Sequence, residues 1–271
     1  MSSITESLPS LDVGNVFDRA RNRLSRALLY IGGISELGVQ TIRDAIRGPL
    51  ESQLIIAQFE QIGVRSLSIV AITSLFIGMV LALQTAYSLE QFGVKLFIGK
   101  VVSLSLVREL APVMMSLMVG WRVGAGITAE IGTMKVTEQI DALRALATSP
   151  VRKLVVPKVL ATTVMFPVLT IVSNFVGIAG GLVIAVANLH LTANWYLRSV
   201  IDTVKYNDLA SGIGKTLFFG FAVGLIACFN GLRTTGGADG VGRSTTQTVV
   251  MAAITVLIMD FFLTKLFLLA F

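Results

Sequence analysis

The sequence predicts an all-α membrane protein with about five transmembrane helices, an amphipathic helix at the N-terminus and a polar cytoplasmic helix between two spans. Three observations predict this class. Of the 271 residues, 54% are hydrophobic and only 14% are charged, and the mean hydropathy is +0.79. A soluble domain carries about 25% charged residues, so a bilayer is the expected solvent. Five apolar stretches approach the roughly 20 residues that a helical span requires, and most lysines and arginines lie between them.

The N-terminal segment, residues 1–58, is predicted to be a polar tail followed by an amphipathic helix. Apolar residues recur along it at helical spacing, and four arginines lie off this stripe. A basic amphipathic helix of this kind lies in the membrane interface beside anionic lipids. The alternative is a helix packed on a soluble domain, but no such domain follows in the sequence. The stripe comprises Val13, Val16, Phe17, Ala20, Leu24, Ala27, Leu28 and Ile31, and the arginines are Arg19, Arg21, Arg23 and Arg26.

The rest of the chain, residues 59–271, is predicted to form the membrane domain. Its spans are expected at about 63–88, 98–122, 156–188, 209–231 and 246–270. Cytoplasmic segments of membrane proteins are enriched in Lys and Arg. With the N-terminus inside, fifteen of the 22 Lys and Arg residues lie on the cytoplasmic side and four lie outside. The sequence therefore predicts a multi-pass protein with a cytoplasmic N-terminus and a periplasmic C-terminus.

Glycines four residues apart predict close contacts between the membrane helices, because small residues let two helix backbones approach. Three such pairs occur. They are Gly120 with Gly124, Gly177 with Gly181, and Gly220 with Gly224.

Four ionisable residues fall within the predicted spans: Arg108, Glu109, Lys215 and Asp260. A charge at the middle of a bilayer costs at least ~2.5–3.5 kcal/mol, so such groups face a partner or a wet cavity. Their depths place them near the middle of the bilayer or in its outer half, and we expect them to converge on an outward-facing cavity that holds a polar head group. The alternative is an ion-pair cluster that only locks the helices together. Pro112 should bend the second span and free backbone carbonyls beside this cavity.

A polar helix is predicted over residues 127–149, with its end at Ser149-Pro150. One face carries apolar residues and another carries charges at threefold spacing. The pattern fits a helix that docks into a groove on a cytoplasmic partner, and it fits equally a helix lying on the membrane surface. The apolar face comprises Val136, Ile140, Leu143 and Ala147, and the charged face comprises Glu138, Asp141 and Arg144.

Other candidate sites fail on their context. The run from Gly237 to Ser244 has the spacing of a phosphate-binding loop with Arg243 in place of lysine, but it follows a membrane span rather than a strand. We interpret it as a cytoplasmic turn in which Ser244, Thr245 or Thr246 caps the last helix. With one cysteine, one histidine and no nucleophile–base pair, the sequence predicts no catalytic residue, metal site or cofactor. The net charge of +6 follows the topology and does not predict nucleic-acid binding.

Several segments resemble the MlaE (YrbE) permease family. They are Arg108-Glu-Leu-Ala-Pro112, the run from Arg122 to Leu143, the run from Gly236 to Thr246, and Leu257-Ile-Met-Asp-Phe-Phe-Leu-Thr264. The resemblance extends from about Phe59 to the C-terminus, and the stretch Thr137-Glu-Gln-Ile-Asp141 is its most specific part.

The resemblance implies a permease subunit of an ABC transporter that moves phospholipids between the inner and outer membranes of diderm bacteria. It implies a homodimer in the inner membrane, a separate MlaF-like ATPase that binds ATP and Mg, a periplasmic MlaD-like hexamer of MCE domains and often an MlaB-like STAS protein. The helix over 127–149 would be the coupling helix seated on the ATPase. Its coupling residues would be Glu130, Lys135, Glu138, Asp141 and Arg144, while Arg108, Glu109, Lys215 and Asp260 would match polar positions of the lipid cavity.

Two other classes of function compete with this interpretation. An ion-coupled secondary transporter would use the intramembrane charges as an ion or proton relay, although its inverted repeats usually give an even number of spans. A membrane scaffold that transports nothing would have no use for buried charges that balance. Transport that requires a separate ATPase chain would distinguish an ABC transporter permease from both of these alternatives.

Overall fold

The computed structural model describes residues 13–47, 51–90 and 97–270, and all of its regular elements there are helical. This confirms the predicted all-α class. The helices are α1 (Val13–Arg47), α2 (Ser52–Ile62), α3 (Leu67–Glu90), α4 (Ile98–Ser105), α5 (Ala111–Val136), α6 (Gln139–Ala145), α7 (Val156–Ala187), α8 (Ala193–Thr203), α9 (Tyr206–Leu232) and α10 (Gly237–Ala270).

Five helical runs in the described part of the chain are long and apolar enough to cross a membrane, as predicted. A short π-helical turn at Leu106–Leu110 joins α4 to α5, and another at Val151–Val155 leads into α7. Each of these segments therefore forms one continuous helical run. The runs are Ser52–Leu89, Ile98–Val136, Val151–Ala187, Tyr206–Leu232 and Gly237–Phe267. The chain is therefore a multi-pass membrane protein.

Helices α5, α7 and α9 form the centre of the bundle, with α3 packed on α7 and with α10 packed on α5 and α9. Two of the three predicted glycine pairs lie at close contacts. A side chain at Gly220 would overlap the carbonyl oxygen of Thr162 on α7, and one at Gly181 would overlap the hydroxyl of Tyr196 on α8. At Gly120 and Gly124 an added methyl group would make only ordinary van der Waals contacts, so this pair does not require glycine.

The prediction of a single helix over residues 127–149 is wrong. Helix α5 continues to Val136, the backbone turns at Glu138 with φ of 60°, and α6 is a separate short helix. The reason is burial, because one face of the C-terminal part of α5, including Ile127, Thr128 and Ile131, is covered by the bundle. The helix that contains the second predicted span therefore continues beyond residue 122.

The capping prediction for the last helix is also wrong. The turn between α9 and α10 lies at Gly236 and Gly237, which both have positive φ values that glycine adopts without strain. Helix α10 begins there, so the glycine-rich run forms its first turns. Thr245 and Thr246 lie inside the helix, where their hydroxyl groups donate to the Gly242 carbonyl.

Helix α8 lies between the predicted third and fourth spans, where the sequence analysis predicts no helix. Its anchor is Tyr196, which is buried and whose hydroxyl donates to the Ile178 carbonyl oxygen at 3.4 Å. Burial raises the pKa of Tyr196 to about 12. The helix packs across α4 and α7, which holds the ends of these spans beside the start of α9.

Candidate functional site

Lys215 on α9 is the centre of a polar cluster inside the membrane bundle. Its side chain is only 2% exposed. The Nζ atom donates to Glu109 Oε2 at 2.8 Å, to Asp260 Oδ1 at 3.2 Å and to Thr264 Oγ1 at 2.6 Å. The structure thus brings together three of the four predicted intramembrane charges, from the π-helical turn before α5, from α9 and from α10.

The backbone around Pro112 supplies a fourth acceptor for this lysine. In an α-helix the carbonyl of residue 108 accepts from the N–H of residue 112, and proline has no N–H. The chain forms a π-helical turn at Leu106–Leu110 just before this proline, and Lys215 Nζ lies 3.2 Å from the Arg108 carbonyl oxygen. A carbonyl freed by Pro112 is therefore present at the cluster, and a lysine ammonium occupies it.

The side chain of Arg108 turns away from Lys215 and pairs with Asp208. Arg108 Nε donates to Asp208 Oδ1 at 2.7 Å, and the other carboxylate oxygen accepts from the backbone N–H of Lys205 at 2.9 Å. Asp208 is buried in the first turn of α9, where a carboxylate also stabilises the positive end of the helix dipole. Asp208 was not among the predicted site residues, although an acidic residue in the first turn of a helix is a recognisable helix-start signal.

Lys215, Glu109 and the Arg108–Asp208 pair all line one cavity of about 270 Å³. A second cavity of about 480 Å³ shares Glu109 and Thr264 with it and has largely apolar walls that include Leu257, Phe261 and Leu269, together with the charged Asp260 and Lys265. The polar cavity and the largely apolar one therefore adjoin at Glu109 and Thr264. The first cavity is lined by Arg108, Glu109, Lys205, Asn207, Asp208, Ser211, Lys215, Thr264 and Phe267.

The charged side chains of the two cavities comprise four cations and three carboxylates, and their exposure differs. The cations are Arg108, Lys205, Lys215 and Lys265, and the carboxylates are those of Glu109, Asp208 and Asp260. Lys215 is enclosed, whereas the side chain of Glu109 is 42% exposed and that of Asp260 is 21% exposed. A ligand that enters therefore meets partly exposed carboxylates and the exposed guanidinium of Arg108, with the lysine behind them.

Three of the predicted coupling residues meet at the other end of α5. Asp141 on α6 accepts from Lys135 Nζ at 2.9 Å and from Arg144 Nη1 at 3.1 Å. The hydrogen bond from Lys135, together with the two positive charges, lowers the pKa of Asp141. Glu138 lies at the exposed corner between the helices. Ile140 is fully buried, so α6 is anchored to the bundle while its charged face stays in solvent.

Glu130, the remaining predicted coupling residue, lies apart from this group. It pairs with Lys158 on α7 at 2.6 Å, and Lys158 also donates to Gln58 on α2 at 3.4 Å. The Lys158 side chain is only 3% exposed. Lys158 is one of the fifteen Lys and Arg residues assigned to the cytoplasmic side, and nothing in that pattern indicated that its side chain is buried. The pair ties three helices together at this end of the bundle.

No group of three or more His, Cys, Asp or Glu side chains among the described residues is arranged to hold a metal ion. The side chains at the candidate site can act by charge and by hydrogen bonding. A buried ammonium with exchangeable acidic partners, next to an apolar cavity, is suited to reversible binding of a polar group within a membrane.

A helical multi-pass bundle with a buried charge cluster and an anchored polar helix at one end defines the membrane core of a transport protein. The sequence profile described as Permease MlaE matches residues 55–266. A probable ABC transporter permease protein of Rickettsia bellii is 42% identical over 257 residues, covering 95% of this chain and 98% of the relative. The chain belongs to the MlaE permease family, and as such it is a transporter permease.

Two further relatives extend the comparison. A probable ABC transporter permease of Synechocystis is 43% identical over 227 residues, covering 84% of this chain and 86% of the relative. The chloroplastic protein of Arabidopsis thaliana named for trigalactosyldiacylglycerol is 35% identical over 228 residues, covering 84% of this chain and 65% of the relative.

Proposed function

We propose that this chain is the permease subunit of an ABC transporter that moves phospholipids between the inner and outer membranes of a bacterium. The observation that carries the proposal is the buried Lys215 with its half-exposed acidic partners beside an apolar cavity. A phospholipid combines a charged head group with acyl chains, which is the combination that the two adjoining cavities offer. The lipid in the name of the Arabidopsis relative agrees with a lipid substrate.

The lipid head group would bind by replacing some of the hydrogen bonds and ion pairs that the site residues make with one another. A phosphate can accept hydrogen bonds from the exposed Arg108 guanidinium and from Lys215, while Glu109 and Asp260 face an ammonium or hydroxyl group of the lipid. The acyl chains would lie against Leu257, Phe261 and Leu269. Because Glu109 and Asp260 pair with Lys215 in the absence of lipid, release leaves no buried lysine charge without a partner.

The cavity would be completed by a second copy of the chain. Glu109 and Asp260 are partly exposed beside an apolar face of α10 that includes Phe261 and Leu269. Carboxylates facing acyl chains are costly, and a homodimer that places the two α10 faces together would enclose them. The cavity would then open outward, in a bacterial inner-membrane protein with a cytoplasmic N-terminus and a periplasmic C-terminus.

Energy would come from a separate MlaF-like ATPase that binds ATP and Mg and contacts α6. Ile140 anchors α6 in the bundle core, and the Lys135–Asp141 pair braces the corner with α5. A displacement of α6 would therefore pass into α5, whose other end adjoins Glu109. Glu138 and Arg144 would face the ATPase. An MlaD-like MCE-domain hexamer would receive or supply the lipid outside, and an MlaB-like STAS protein would belong to the same complex.

The test is lipid transfer by the purified complex in proteoliposomes. We expect transfer that requires the ATPase chain and ATP, and that falls about tenfold or more in Lys215→Gln, since a hydrogen bond to a charged group is lost. Lys100→Gln is the matched control, because Lys100 lies over the Phe97 ring and outside the cavity. An ion-coupled transporter, in which Glu109, Lys215 and Asp260 relay protons, would instead transport along a proton gradient without the ATPase.

A further inference from the structure

A separate cavity of about 520 Å³ lies between α1, α9 and α10, at the opposite end of α9 from Lys215. At about 1.5 Å per residue, Arg233 lies on the order of 27 Å along the chain from Lys215. The cavity is lined by Leu29, Tyr30, Ile31, Asn230, Arg233, Ser244, Gln247 and Met251. Its polar lining thus includes one cation and no acidic side chain.

Arg233 gives this cavity a positive charge that is held in place. Its guanidinium stacks over the Phe229 ring at 5.1 Å, and Phe229 is buried. No carboxylate among the described residues pairs with this guanidinium. Its N–H donors are therefore available to an anion, and arginine binds phosphate and carboxylate groups in a bidentate manner.

The polar wall of the cavity is built from buried hydrogen bonds. Tyr30 donates its hydroxyl proton to Asn230 Oδ1 at 2.9 Å, and Asn230 Nδ2 donates to Thr248 Oγ1 at 2.9 Å. Asn230 and Thr248 are buried, and the Tyr30 ring meets Phe229 edge to face at 5.3 Å. Burial raises the pKa of Tyr30, so the phenol remains neutral. Arg233, Ser244 and Gln247 are thus presented on a rigid wall.

The cavity is also amphipathic. Leu29 and Ile31 on α1, 72% and 60% exposed, form an apolar rim next to the polar wall, and Met251 adds an apolar surface from α10. A free phosphate ion would leave these side chains unused, whereas the first carbons of an acyl chain would cover them. An anionic group joined to an apolar chain is therefore the ligand chemistry that matches the whole lining.

We infer that this cavity binds the phosphate head group of an anionic phospholipid, with Arg233, Ser244 and Gln247 on the phosphate and Leu29, Ile31 and Met251 along the acyl chain. The leaflet rests on the proposed orientation, which makes it the cytoplasmic one. The site is distinct from the Lys215 cavity, and it joins α1 to the ends of the two spans through a bound lipid.

The experiment titrates the delipidated complex of the full chain and its ATPase with phosphatidylglycerol and counts bound lipids by native mass spectrometry. Arg233→Gln should weaken one phosphatidylglycerol site about tenfold or more. Ser244→Phe, which fills the cavity, should remove the same site, and it serves as the test if Arg233→Gln does not fold. Arg243→Gln is the matched control, because this arginine lies outside the cavity lining on the same end of α10.

Two further arms identify the ligand and separate this site from transport. Phosphatidylcholine with the same acyl chains and soluble glycerol 3-phosphate should each compete at least tenfold less well. Lys215→Gln should leave this site intact even where it abolishes lipid transfer. The inference is overturned if Arg233→Gln and Arg243→Gln bind equally, if glycerol 3-phosphate competes as well as the lipid, or if the wild-type complex shows no such site because a protein surface fills the cavity.

Discussion

The Nζ atom of Lys215 lies 3.2 Å from the carbonyl oxygen of Arg108, which is the carbonyl that Pro112 leaves without its helical donor. A proline in one span thus creates an acceptor for a lysine in another. The same lysine binds Glu109, the residue next to that carbonyl. The position of Glu109 in the cavity therefore depends on the π-helical turn that precedes Pro112.

Replacement of Pro112 tests this dependence. Pro112→Ala restores an N–H that competes with Lys215 for the Arg108 carbonyl, and it removes a restriction that favours the π-helical turn. We expect ATP-driven lipid transfer to fall severalfold while the thermal unfolding temperature is unchanged or rises. Pro167→Ala, at the proline inside α7, is the control. Unchanged transfer in Pro112→Ala would show that the turn has no part in the site.

A double variant separates a binding cavity from a structural lock. Lys215→Met leaves two carboxylates without their cation and should destabilise the protein by about 1–3 kcal/mol, a value reduced by the partial exposure of those carboxylates. Adding Glu109→Gln removes one of the two unpaired charges and should restore part of the lost unfolding temperature. Lipid transfer should stay lost in the double variant. Recovery of transfer together with stability would mean that the cluster only joins the helices.

Asp208 is predicted to position Arg108. Asp208→Asn removes the ion pair that orients the guanidinium and weakens the start of α9 by about 1 kcal/mol. We expect a severalfold higher lipid concentration for half-maximal ATP-driven transfer, with a smaller change in the maximal rate. The control is Asp202→Asn, because Asp202 is an exposed acid on α8. Equal effects of the two variants would exclude a specific role for Asp208.

Ile140 is predicted to carry force from α6 into the bundle. Ile140→Ala leaves a cavity beneath α6, at a cost of about 2–5 kcal/mol if the site does not collapse. We expect the complex to retain ATP hydrolysis but to transfer fewer lipids per ATP. Leu146→Ala, at an exposed apolar residue just after α6, should leave this ratio unchanged. If Ile140→Ala transfers as many lipids per ATP as the wild type, the coupling passes through other residues.

The sequence predicted the five spans because length and hydropathy dominate that signal. It failed at the C-terminal end of α5, where Thr128, Glu130 and Lys135 lower the hydropathy although the neighbouring face is buried. The turn lies at Gly236 and Gly237 and not where it was predicted, for a different reason. Several glycines in that run could have formed the turn, and only backbone geometry distinguishes them.

The site, like the fold, was predicted only in part. The cost of intramembrane charge pointed to Glu109, Lys215 and Asp260, and the structure joins them. Asp208 and Lys158 lie near span ends, where charge is common, and only tertiary packing buries them. No sequence pattern indicated that these two side chains are buried, so the partners of Arg108 and Glu130 could not be predicted.

The most direct test of the central claim is cross-linking in the assembled, ATPase-containing complex with a phospholipid that carries a photoactivatable head group. The account predicts labelled peptides from the cavity lining, around Ser211 and Thr264, and a loss of this labelling in Lys215→Gln. Labelling confined to exposed apolar positions such as Phe76 and Val80 on α3, and unchanged in Lys215→Gln, would contradict it.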